Sequence, residues 1–322
     1  MISPLNEMVW RPAPMPAELA ELLLSLDTQW KVVAGRSKNG LTCKLPVYVR
    51  KVGPEQFGLE TWSLFCKQLC ESGIPTFSSV DALSTLALNQ VPRRIHVHGC
   101  NQNLDIRGVE SADAIEIDCW NERQQRWTWS SELQSNEDLR NFIELCRIAT
   151  DFQAPIGVRL PVHVHQADLQ KSLSAGVDFI TLRSGPLQPE LNSFANLFAI
   201  AKARKACCEA GRPEVNLLVD ADIENCVDVP KAIALGASAL CVDRLLASTL
   251  LEPRISSSTS LLASIEAVAS TRRDLSGVTS RVRELEDCLK SAMAMVGAVA
   301  LSDLRPSMLL ATSRVAADLL AE

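Results

Sequence analysis

Several things are missing from this chain, and each absence removes a class of function. No cluster of Lys or Arg interrupts it, and 38 acidic residues against 32 basic ones give a net charge of −6. A nucleic-acid backbone would find no electrostatic footprint, so no nucleic-acid partner is expected. No apolar run approaches the roughly 20 residues that cross a bilayer. The opening residues, MISPLNEMVW, lack the basic start and apolar stretch of a secretory signal. A cytoplasmic location without membrane attachment is the expectation. A C-x-x-C pair is also absent: the 11 cysteines are scattered, with Cys66/Cys70 and Cys207/Cys208 the close pairs, and they read as reduced thiols.

What is present is organised around residues 214–248, EVNLLVDADIENCVDVPKAIALGASALCVDRLLAS. An apolar β-type run (215–219) ends in acidic residues. Helix chemistry at 231–235 stops at Gly236, and a second apolar run (239–242) ends at Asp243-Arg244. This is βαβ grammar, which places parallel strands side by side. The same alternation covers most of the chain. Strands are predicted at 46–50, 74–78, 94–98, 114–119, 156–160 and 177–182, before the two at 215–219 and 239–242. Helices are predicted at 59–72, 81–89, 136–150, 167–175 and 191–211, with a lead-in helix at 17–27 and two more at 279–297 and 305–321. The fold class is α/β: a (β/α)8 TIM barrel at 46–254, an N-terminal lead-in segment at 1–45 and a helical C-terminal extension at 255–322. In such a barrel, ligands sit at the carboxyl ends of the strands.

The stretch KAIALGA (231–237) and the segment PIGVRL…ADLQKSLSAGVDFITL (155–182) resemble the FMN-binding barrel of glutamate synthase and its short stand-alone relatives. The phrase MVGAVALSDLRPSMLL resembles the helices that follow that barrel. The resemblance implies FMN at the barrel mouth, its phosphate held by glycines after the last two strands. Here those glycines are Ala221-Asp222 and Asp243. The glycine-rich loop after the fourth strand is replaced by Asp118-Cys119-Trp120-Asn121-Glu122-Arg123, and the one after the sixth by Arg183-Ser184-Gly185-Pro186-Leu187-Gln188-Pro189. The family's flavin lysine falls at Arg159, which keeps the charge but changes the reach. The family positions for the cofactor are thus Asp220, Ala221, Asp222, Asp243, Arg244, Ser184 and Gly185. The family's iron–sulfur cysteines are not expected, since no cysteine lies between Arg244 and Asp287.

Two carboxylates, Asp222 and Asp243, stand where the resemblance places a phosphate dianion. Either they cap helices, as aspartate does well, or Arg244 outweighs them. The first expectation is a divergent barrel without the standard FMN grip, working as a repurposed or non-catalytic subunit. Its partner would be a related intact subunit or a copy of itself. A second is an active FMN-dependent oxidoreductase of amino-acid metabolism, with Arg159 at the flavin and Arg183 or Asp118 near the substrate. A third uses the four histidines, which form two H-x-H pairs, His96/His98 and His163/His165. With Glu116 and Asp118 on the strand between, they are candidate ligands for a metal at the mouth. Cys100 and Cys119 at strand ends read as packed thiols. Trp120, Trp127 and Trp129 crowd one polar insertion, either as a binding surface or as buried anchors.

Overall fold

The computed structural model describes residues 5–13, 23, 25–33, 40–77, 92–99, 106–121, 126–184, 194–223, 225–251 and 276–321. Its strands are β1 (Met8–Trp10), β2 (Trp30–Val33), β3 (Gly40–Cys43), β4 (Val47–Tyr48), β5 (Thr76–Phe77), β6 (Arg94–Gly99), β7 (Ala114–Asp118), β8 (Trp120–Asn121), β9 (Arg126–Trp127), β10 (Ile156–Pro161), β11 (Phe179–Arg183), β12 (Asn216–Asp220), β13 (Ala239–Cys241) and β14 (Leu309–Ala311). The helices are α1 (Pro54–Phe57), α2 (Leu59–Ser72), α3 (Ile106–Glu110), α4 (Asn136–Ala149), α5 (Gln166–Ala175), α6 (Phe194–Glu209), α7 (Asp228–Ala234), α8 (Asp243–Leu251), α9 (Ser276–Val296) and α10 (Arg314–Ala321).

Eight parallel strands pair in the order β4-β13-β12-β11-β10-β7-β6-β5. A bridge between Val49 and Thr76 joins the two ends, with Val49 N–H on the Pro75 carbonyl at 3.0 Å and Phe77 N–H on the Val49 carbonyl at 2.8 Å. The sheet therefore closes on itself as a (β/α)8 barrel, with each predicted barrel strand in its place. Period-two alternation sorts the side chains. Ile115 and Ile117 on β7, Ile156, Val158 and Leu160 on β10, and Leu217 and Val219 on β12 join the large apolar cluster shared with the helices. Their neighbours Ala114, Phe179, Leu218, Ala239 and Cys241 form a second cluster inside the barrel.

Local chemistry places the helices. Ser135 and Asp138 form a capping box at the start of α4, with Ser135 Oγ accepting from Asp138 N–H at 3.0 Å. Gly73 and Gly176 end α2 and α5 at φ +67° and +90°, conformations that favour glycine. Gly157 has a different reason: a Cβ there would lie 2.3 Å from the Phe179 ring inside the barrel.

Two features differ from the sequence reading. The lead-in segment contains an antiparallel hairpin, β2–β3, whose Trp30, Val32, Leu41 and Cys43 join the inner cluster at the amino-terminal ends of the strands. Trp30 Nε1–H donates to Asn216 Oδ1 at 3.0 Å there. The predicted helix at 305–321 is shorter, beginning at Arg314, because residues 309–311 leave as β14 to pair antiparallel with β1. Pro306 opens a 3-10 turn just before it, as a residue lacking an N–H favours. The helix predicted at 81–89 and most of the one at 17–27 lie outside the described residues.

Candidate functional site

The upper layer of the barrel is built from charge. Register sets Arg159 on β10 beside Asp118 on β7 and Thr181 on β11, and sets Arg183 beside Asp220 on β12. All of these point inward, alternating with the outward apolar residues. Arg159 donates to Asp118 at 2.8 Å and also to Asp220. Arg50, just past β4, grips Glu116 through two bonds of 2.5 and 3.2 Å, with its Nε 3.6 Å from Asp220. Lys51 reaches Asp220 at 3.2 Å, and the Thr181 hydroxyl donates to Glu116 at 2.5 Å. Glu116 and Asp220 are essentially inaccessible, at 0 and 1% exposure. Charges buried this deeply persist only when paired and hydrogen-bonded. Burial alone would raise Asp220, but Arg159, Arg50 and Lys51 overrule it and hold its carboxyl well below the usual range.

Asp243 stands at the first position of α8, yet its carboxylate does not serve that helix. It accepts the backbone N–H of Arg50 at 2.6 Å and of Lys51 at 2.7 Å. Burial raises its pKa, and those two N–H groups pull it part of the way back. Asp222 is partly exposed, lies before α7 begins at Asp228, and strengthens the anionic field on Lys51. Neither aspartate therefore caps a helix in the manner expected. Ala221 is buried in the outer apolar cluster, Arg244 is exposed, and Ser184 N–H donates to the Asp220 carbonyl at 2.9 Å. Gly185 lies outside the described residues.

The mouth has an aromatic side. The Arg183 guanidinium stacks 3.8 Å from the Trp120 ring centroid, and Trp120 N–H donates to Asp118 Oδ1 at 3.0 Å. Trp127 Nε1–H donates to the Arg159 carbonyl at 2.8 Å. Trp129 turns away to Asp168 at 2.7 Å, with the Lys171 ammonium 4.0 Å above its ring. So Arg159, Asp118 and Arg183 come together as the sequence suggests. Arg50, Lys51 and Thr181 complete the layer and were not singled out by sequence. Their available signal was the cationic end of PVYVRK, whose Tyr48 and Arg50 share a face.

The histidines are not brought together. His96 and His98 do share a side of β6, but it is the outer one. His96 Nδ1 sits 3.3 Å from Arg94, which reaches Ser111 beyond α3, and His98 stacks on Phe142 of α4. Glu116 and Asp118 point the opposite way, into the barrel. His163 and His165 are exposed in the connection after β10. Among the described residues no group of three or more His, Cys, Asp or Glu is placed to hold a metal. Cys119 is a buried thiol in the outer cluster, and Cys100 lies outside the described residues.

Comparison with known proteins follows the same line. The family model described as the conserved region in glutamate synthase matches residues 129–247. Among solved structures, a mandelate oxidase variant with a monooxide FMN adduct aligns at a TM-score of 0.59 and 16% identity, over 95% of this chain and 88% of its own. A mandelate oxidase variant with benzaldehyde gives 0.60 and 18%, over 96% and 87%. A flavocytochrome b2 variant with benzoylformate gives 0.61 and 15%, over 95% and 76%. At such identities the likeness speaks for the fold alone. No curated protein matches the chain in sequence.

Proposed function

We propose that this glutamate-synthase-like barrel has exchanged the flavin grip of its relatives for an internal charge network. On this reading it works as a repurposed subunit, beside a related intact enzyme or a copy of itself. The family match and the fold suggest the broader class, the FMN-dependent barrel oxidoreductases. The observation that carries the narrower reading is the seat of Asp243. A family glycine position holds a buried carboxylate, already bonded to the N–H groups of Arg50 and Lys51. A phosphate dianion brought there would meet like charge from Asp243 and Asp222. Arg159, the counterpart of the flavin lysine, is shared between Asp118 and Asp220 and has no surplus charge for an anionic reduced ring. We read these residues as a poor fit for FMN held in the family's manner.

The test is an absorption spectrum of the purified protein, alone and with excess FMN. A colourless protein that does not take up FMN supports the reading. Stoichiometric flavin in the purified protein overturns it.

One observation favours the second reading, an FMN-dependent oxidoreductase with an altered site. Arg50, Lys51, Arg159 and Arg183 gather four cations at the mouth beside Trp120. There Arg159 would lie near a flavin, and Arg183 or Asp118 near the substrate. A bound flavin in the spectrum would select it.

A further inference from the structure

A cleft separate from the mouth is present among the described residues, and none of the mouth residues lines it. It lies between β1, the start of α7 and the outer face of α9, with a volume of about 710 Å3. Small-molecule sites fall in this size range and are mostly apolar with a few placed polar groups. Met8 and Ala292 form buried parts of its wall, and Cys288 a partly buried one. Val9, Val227 and Met295 stand at its edges, 46, 53 and 41% exposed. Nine large apolar side chains are exposed among the described residues, and these are three of them. Scattered apolar residues are ordinary on a surface, but a gathering around one concavity marks a binding place.

The polar side of the cleft carries two cations, Lys231 and Arg283, and two anions, Glu284 and Asp287. Lys231 is in its wall, and its ammonium donates to the Leu5 carbonyl at 2.8 Å. An ammonium carries three donors, so two remain for a ligand. Burial lowers the Lys231 pKa, which reports a cation short of compensation, although Asp228 pulls the other way. On α9, Arg283 adds a second exposed cation. Glu284 is held by Arg281 at 2.6 Å, which leaves Asp287 as the anion at the rim.

We propose that this cleft binds an amphipathic monocarboxylate, with an extended aliphatic body against Met8, Val227 and Met295 and its carboxylate on the two remaining donors of Lys231. The soft, unbranched thioethers of Met8 and Met295 suit a flexible chain that no single rotamer fits. A charged hydrogen bond at a half-buried ammonium supplies the selectivity for an acid over an alcohol. The inference does not depend on whether the barrel mouth holds flavin.

The probe is decanoate, titrated into the full chain below its micellar range and followed by tryptophan fluorescence, since Trp10 lines the cleft. Trp10→Phe assigns the signal. Saturable binding of one decanoate per chain is expected, with decanol at least about 10-fold weaker and acetate silent. Lys231→Met should weaken decanoate about 10-fold while leaving decanol unchanged. Met295→Glu, at an exposed position, should weaken both probes and guards against misfolding of the lysine variant. Absence of saturation overturns the proposal, as does equal affinity for decanoate and decanol, or wild-type decanoate affinity in Lys231→Met. A cleft closed by a second copy of the chain, seen as a decanoate-insensitive dimer by sedimentation, would overturn it too.

Discussion

The carboxylate of Asp243 and the backbone N–H of Arg50 meet at 2.6 Å, tying the end of the last barrel strand to the end of the first. The seam between those strands is short, with Leu240 opposite Val47 and Cys241 opposite Tyr48. The second oxygen of Asp243 takes Lys51 N–H at 2.7 Å, so one side chain extends the ladder where the backbone stops. Its position in the barrel is thus explained by closure before any ligand is considered.

Asp243→Asn should be measurably less stable. The amide can accept one of the two N–H groups but turns a donor toward the other, leaving a buried donor unsatisfied at about 1–3 kcal/mol. Urea unfolding checks this, as a lower midpoint with unchanged slope. The paired variant Asp222→Gly with Asp243→Gly removes both carboxylates and places glycine at two of the three positions where the resembled barrel carries it. It should take up FMN measurably, read by quenching of flavin fluorescence, at a further cost in stability.

Breaking the Arg159–Asp220 pair from one side should cost more than removing it. Arg159→Met leaves the buried Asp220 with only Arg50 and Lys51 and takes the 2.8 Å partner from the part-buried Asp118. One-sided losses of this kind run to about 3–5 kcal/mol. The double variant Arg159→Met with Asp220→Leu should regain part of this. A double-mutant cycle in urea measures the coupling, and additive losses would contradict the shared network.

Acid sensitivity has a sign fixed by Asp220. Its folded-state pKa lies below the unfolded value of about 3.9, so its contribution is complete above that pH and is lost as pH falls toward the folded value. Asp243, with its pKa raised, contributes oppositely: protonation favours the folded form, and that part fades as pH rises through its folded pKa. Thermal unfolding between pH 5 and pH 2 should show a steep loss in the wild type. Asp220→Asn should be less stable at pH 7, with a shallower loss below about pH 4.

Gly157→Ala should destabilise by about 1–3 kcal/mol, the usual range for overpacking. The added Cβ would fall 2.3 Å from the Phe179 ring, which lies inside the closed barrel. Adding Phe179→Leu should return part of the loss, again measured by urea midpoints.

The barrel strands were legible because each carries its own period-two signal, and the chain alternates them with helices stopped at Gly73 and Gly176. Arg159 and Asp118 were legible because strand ends are where such barrels place ligands. Arg50 and Lys51 were not, since a cation closing a short strand looks the same whether it faces solvent or a neighbouring carboxylate. His96 and His98 illustrate the limit. Spacing shows that they share a face, but a one-residue shift of register exchanges inside and outside. The pairing of β14 with β1 joins residues about 300 positions apart, and no local pattern marks it.

The hairpin β2–β3 beneath the inner cluster makes the barrel a cup rather than a pipe. With Trp30 fastened to Asn216 at its base, the interior has one rim. Among the described residues, Lys51, Arg183 and Trp120 border Arg159 and Asp220 on the side away from the hairpin.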